Sequence, residues 1–190
     1  MGKNDKQIIL AVLFFLTCAP AASPDNATAV EYFQKGAAAY QKGDLHGAAV
    51  FFENTINNAP EYAPAYHALG LVFRDQGEPL SQITWYMKKA IDLDPEYLAA
   101  YEDLGKVYQM AGSHDESIFY FEELLKKDPN RLAVHFSLAW IYLLAKGEPH
   151  PGAEHFEAVL KQSKIPKAYY GLGLAYSMMR EPARVLEIIT

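Results

Sequence analysis

The chain has 190 residues, 51% of them hydrophobic and 21% charged, the composition of an ordinary folded domain, which excludes wholesale disorder. Its formal net charge of −6, with no stripe of Lys or Arg, excludes a protein that tracks nucleic-acid phosphates. Cys18 is the only cysteine, so an intramolecular disulfide is excluded too.

The first 21 residues read as an address. Lys3 and Lys6 make the start mildly positive, Ile8 to Leu16 is an unbroken apolar run, and Ala19-Pro20-Ala21 places small residues in the A-x-A arrangement. Nine apolar residues make about 14 Å of helix, too short to cross the roughly 30 Å of a bilayer core. Positive, apolar, then small is the order of a secretory signal peptide, cleaved here after Ala21. Two other fates stay open: an uncleaved short anchor, or lipid modification at Cys18, although Thr17 stands where that motif wants a small residue. The membrane is therefore a partner only if this segment is retained or lipidated. A signal peptide implies a periplasmic or extracellular address, or the secretory lumen in a eukaryote. Asn26-Ala27-Thr28 is a glycosylation sequon, a triplet common by chance. Residues 22–28, with Ser23, Pro24, Asp25 and Asn26, read as a polar linker.

From residue 29 to residue 190 the chain repeats. Small residues recur at Gly36, Gly70, Gly105, Ala139 and Gly173, spaced 34, 35, 34 and 34. A second set, Gly43, Gly77, Gly112 and Gly147, is spaced 34, 35 and 35, and a third, Pro60, Pro95, Pro129 and Pro166, is spaced 35, 34 and 37. Three independent markers share one period. The small residues let two helices cross closely, the second glycines reverse the chain, and the prolines end each hairpin. The boundaries are 29–62, 63–97, 98–131, 132–165 and a partial 166–190. Glu78-Pro79-Leu80 points to one extra residue in the second turn. The stretch Gly147-Glu148-Pro149-His150-Pro151-Gly152 points to a long fourth connection, with its helix starting near Ala153.

The third copy, Tyr101-x2-Leu104-Gly105-x2-Tyr108, Ser117-x3-Phe121 and Pro129, resembles the tetratricopeptide repeat. Tyr66-x2-Leu69-Gly70-x2-Phe73, His135-x2-Leu138-Ala139-x2-Tyr142 and Tyr169-x2-Leu172-Gly173-x2-Tyr176 repeat the pattern, and the first copy keeps Ala48-x3-Phe52. The resemblance implies an all-α fold, an α-solenoid of tandem antiparallel helical hairpins wound into a superhelix. It also implies a protein or peptide ligand in a concave groove lined by the first helix of each pair. On that basis His67, Leu71, Arg74, Glu102, Lys106 and Gln109 face the groove at a polar end. Phe136, Trp140, Leu143, Tyr170, Leu174 and Met178 face it at an aromatic end. Trp140 leads, because it lies off the packing stripe of Leu138 and Tyr142. Phe33 and Ala37 stand where the family's carboxylate-binding members carry polar clamp residues, which disfavours that ligand.

Catalytic chemistry is not legible. The six histidines are scattered, and His150 and His155 lie five apart, not at the four-residue spacing of a helical metal pair. No phosphate-cradling loop, nucleophile elbow or CxxC occurs. The expectation is a binding protein with no catalytic residues, no metal and no cofactor. The alternative is an assembly subunit that packs against itself or another subunit of an envelope or secretory complex through its apolar end, Val185 to Ile189.

Overall fold

A computed structural model describes residues 24–189, so the expected signal peptide and Cys18 lie outside the described residues. Ten α-helices follow one another, with no strand among the described residues. They are α1 (Pro24–Gln41), α2 (Leu45–Asn58), α3 (Ala63–Gln76), α4 (Leu80–Leu93) and α5 (Leu98–Met110), then α6 (His114–Lys127), α7 (Leu132–Trp140), α8 (Pro149–Gln162), α9 (Pro166–Met178) and α10 (Pro182–Ile189). Helix α7 runs on into a π-helical turn, Ile141–Lys146. The chain forms two compact units whose boundary, between Val107 and Tyr108, falls inside α5.

The turn glycines act as the spacing predicts. Gly43, Gly77, Gly112 and Gly147 all have φ between 69° and 79°, the left-handed region that a side chain disfavours. At the fifth turn Arg180 adopts the same conformation, with φ 60°. The second turn carries its extra residue: two residues, Glu78 and Pro79, separate Gly77 from the start of α4, against one, Asp44, between Gly43 and the start of α2. Asp44 caps α2 by accepting a hydrogen bond from the Gly47 amide at 2.9 Å.

Two expectations about helix starts are corrected. Helix α1 begins at Pro24, inside the expected linker. Proline and acids suit the first turn of a helix as well as a loop, because that turn's amides lack partners and its dipole favours negative charge. Helix α8 begins at Pro149 rather than near Ala153, for the same reason: both prolines fall in its first turn, where no amide is required. The fourth copy's irregularity lies earlier. Ala139 and Gly147 are eight apart where the other copies have seven, and the extra residue is absorbed by the π turn.

Close approach explains the small residues, with one change. A Cβ on Gly36 would lie 2.7 Å from the Phe52 ring, and one on Gly70 2.9 Å from Met87. In the fifth copy the tight residue is Gly171, where a Cβ would come within 2.2 Å of Phe156. Gly173, the expected one, would meet nothing within 4 Å. Its hairpin partner α10 has only eight residues, whereas Phe156 reaches α9 from the preceding helix.

The second unit's core gathers Ala139, Leu143, Phe156, Val159, Leu172 and Tyr176. In the first unit Ala63, Tyr66, Ala90 and Ala100 form a cluster under Tyr86 and Tyr97. Tyr66 and Tyr101 each donate a hydroxyl proton to the carbonyl of the proline six residues back, Pro60 at 3.0 Å and Pro95 at 3.2 Å.

Candidate functional site

The expected groove residues divide between the two units and have different characters there. In the first unit the polar group is a closed ionic network. His67 is 1% exposed, and its Nε2 lies 3.0 Å from Asp103 Oδ2. Its Nδ1 lies 3.2 Å from the Tyr97 hydroxyl. Lys106 Nζ reaches Asp103 Oδ1 at 3.2 Å and Glu102 at 2.7 Å. Burial alone would raise the Asp103 carboxyl, but the hydrogen bonds and charges of His67 and Lys106 outweigh it and hold the group at about 2. Arg74 turns to Asp75 at 2.8 Å and donates to the Tyr40 hydroxyl at 3.4 Å.

His67 therefore does not face a ligand, and Leu71, one turn further along α3, is buried with it. The physical reason is Asp103. A buried carboxylate is tolerated only when paired, and His67 with Lys106 supplies the pairing. Arg74, Glu102, Lys106 and, in the second unit, Gln109 are half-buried; Arg74 is paired with Asp75, and Glu102 with Lys106. Asp103–His67–Tyr97 resembles an acid–histidine relay in outline only, since the His67 and Asp103 side chains are buried and Tyr97 is half-buried over them. Sequence reasoning missed Asp103; the available signal was an acid set between Tyr101 and Leu104 on the helix's packing stripe.

The second unit presents aromatic surface. Phe136 and Trp140, successive turns of α7, meet edge to face at 6.1 Å. Trp140 is half-buried, seated on the Phe156 ring at 5.0 Å, with Tyr170 of α9 on another side at 6.4 Å. Tyr170 is 70% exposed, Leu174 is half-buried and Met178 is 46% exposed. Leu143 is corrected: it is 1% exposed and belongs to the core, while Leu144 is 65% exposed. The π turn advances the register by one residue, so Leu144 continues the Phe136–Trp140 row. The eight-residue interval from Ala139 to Gly147 was the sequence signal for it.

By count along the sequence, though not by helical register, Leu144 also falls in a set. Five residues after the small position stand Gln41, Asp75, Met110, Leu144 and Met178. The first two are polar and exposed; the last three, all in the second unit, are apolar and exposed. Such a surface can take apolar side chains between aromatic walls, but it offers no reactive group. Among the described residues, no cluster of three or more His, Cys, Asp or Glu is arranged to hold a metal ion, and no helix is long and apolar enough to cross a membrane.

Residues 99–131 match the tetratricopeptide repeat family. No curated protein sequence matches the chain. Among solved structures, the MamA protein superposes with a TM-score of 0.75 at 21% identity, covering 85% of this chain and 88% of that one. YrrB, described as a tetratricopeptide-repeat protein with an unusual peptide-binding site, gives 0.71 at 18% identity, covering 88% and 90%. PilF of Pseudomonas aeruginosa gives 0.70 at 21% identity, covering 87% and 75%. The fold is thus the all-α tetratricopeptide-repeat solenoid.

Proposed function

We propose that the chain is an exported tetratricopeptide-repeat scaffold that binds an apolar segment of a protein or peptide on the α7–α9 face of its second unit. The observation that carries this reading is Trp140, fixed from below by Phe156 and flanked by the exposed Tyr170. A preformed aromatic pair loses little side-chain freedom on binding, which is how a rigid anchor contributes affinity. The peptide-binding site ascribed to YrrB on the same fold supports the class of ligand. Export rests on the order of Lys3 and Lys6, the apolar run Ile8 to Leu16, and Ala19-Pro20-Ala21.

Selection of displayed random peptides against the protein, followed by calorimetric titration of the winners, tests the site. Trp140→Ala and Tyr170→Ala should each weaken binding at least about tenfold. Tyr170→Ala should leave the melting temperature unchanged because the side chain is mostly exposed. Peptides that bind both variants as tightly as the parent would sink the assignment. Mass spectrometry of the exported protein should find a new N-terminus at Ala22; an intact Met1 would refute cleavage.

A second reading, self-association through the C-terminal end, has one observation behind it: Leu186 on α10 is 60% exposed. Light scattering separates the readings, since a monomer at all concentrations removes this one.

A further inference from the structure

Hairpin four replaces a repeating aromatic contact with two ionisable rings. In hairpins one, two and four, the residue four before the small position of the first helix meets the aromatic just before the phenylalanine position of the second. Hairpin one uses Tyr32 and Phe51, stacked at 6.4 Å, and hairpin two uses Tyr66 and Tyr86 at 6.4 Å. Hairpin four uses His135 and His155, with ring centroids 5.1 Å apart and their Nδ1 atoms at 2.9 Å.

The neighbours dictate which nitrogen carries each proton. His135 Nε2 lies 3.0 Å from the Pro129 carbonyl, the bond that Tyr66 and Tyr101 make to Pro60 and Pro95 with their hydroxyls. A carbonyl only accepts, so His135 carries its proton on Nε2 and turns a lone pair toward His155, which donates from Nδ1. The neutral pair is satisfied. A second charge cannot be added: two imidazolium rings would set N–H against N–H at 2.9 Å.

The surroundings favour neutrality. His155 is stacked on Tyr142 of the π turn at 5.8 Å, and the Tyr142 hydroxyl donates to Glu122 of α6 at 2.7 Å. Glu157, two residues further along α8, is taken by the Tyr176 hydroxyl of α9. Burial first, and then the charge of His135, lower the proton affinity of His155 to about 4, with Glu122 opposing weakly. Folding therefore depresses this group. The stability it contributes is fully present above the ordinary imidazole value of 6.5 and is lost as pH falls toward 4.

We infer that the His135–His155 pair is a pH-sensitive latch between α7 and α8 that holds the aromatic face together when neutral and releases it on acidification. The adjoining residues are the binding residues. Phe136 follows His135, and Phe156, which follows His155, supports both Phe136 at 6.1 Å and Trp140 at 5.0 Å. Its consequence for ligand release rests on the proposed function; the latch itself does not.

The test needs no ligand. In the full chain carrying Trp85→Phe, so that Trp140 is the sole reporter, tryptophan emission and melting temperature are followed from pH 7 to pH 4. His155 is followed by NMR. His155 should titrate well below 6.5, and melting between pH 7 and 5 should fall about 3–6 °C more than in His135→Tyr/His155→Tyr, which restores the pair of hairpin two. Trp140 emission should change in the parent over the same range and stay level in that variant. Titration of His155 at the ordinary histidine value, or an unchanged pH response in the tyrosine variant, would overturn the latch. Should that variant not fold, His155→Gln, which keeps the donor to His135, and the NMR midpoint of the parent decide. Failure of peptide selection would leave these readings intact.

Discussion

The residue after the first-helix aromatic is His67 in hairpin two and Phe136 in hairpin four, and the two regions use that position in opposite ways. His67 disappears into a buried hydrogen bond with Asp103, and Arg74 and Lys106 pair with nearby acids. Phe136 opens an apolar row that Trp140 and Leu144 continue, with Tyr170 and Met178 on the next first helix. One backbone repeat thus carries a buried polar face in the first unit and an exposed aromatic face, the proposed recognition face, in the second. The difference teaches that a repeat position does not have a fixed fate: a neighbour that needs a partner, such as Asp103, covers it.

The largest break in this contrast comes from Asp103→Ala. It strips a buried imidazole and Lys106 of their acceptor, and denaturant unfolding should show a loss of about 3–5 kcal/mol. A loss below about 1 kcal/mol would mean that the network is incidental. Since Asp103 is held at about 2, its contribution is present above the ordinary carboxylate value and is lost as pH falls from near 4 toward 2. Acid unfolding of the parent but not of Asp103→Asn over that interval would display it.

The π turn offers the next test. Leu143→Ala should cost about 2–5 kcal/mol and Leu144→Ala less than about 0.5, because only the first lies in the core. Equal effects would show that the turn is a regular α-helix and that Leu143 faces outward.

The glycines of α9 give the smallest and most discriminating pair. Gly171→Ala pushes a methyl group into the Phe156 ring and should cost about 1–3 kcal/mol. Gly173→Ala enters open space within a helix and should stabilise by up to about 1 kcal/mol. Reversed signs in thermal melting would return the crossing point to Gly173.

Much of the fold was legible. The 34-residue period, the left-handed turn glycines and the hairpin-ending prolines are local matters of backbone stereochemistry, and those residues state them directly. The extra residue in the second turn was legible for the same reason. The start of α8 was not, because proline in a first turn and proline in a loop have the same sequence. Of the candidate site, Phe136, Trp140, Tyr170, Leu174 and Met178 remained together on surface or half-covered positions. His67, Leu71 and Leu143 did not, and Leu144 had gone unnoticed.

By itself the amino-acid order determined that this chain builds hairpins, where each turns, and that polar residues sit on its early first helices and aromatic ones on its later ones. Periodicity and turn chemistry act over a few residues and need no partner to be read. Tertiary structure alone decided which of those side chains are covered. Asp103 lies 36 residues from His67, Phe156 lies 15 from Gly171, and His135 lies 20 from His155, so none of these meetings exists until the helices pack. Burial is a property of the neighbour as much as of the residue, and it was the neighbour that separated covered positions from exposed ones.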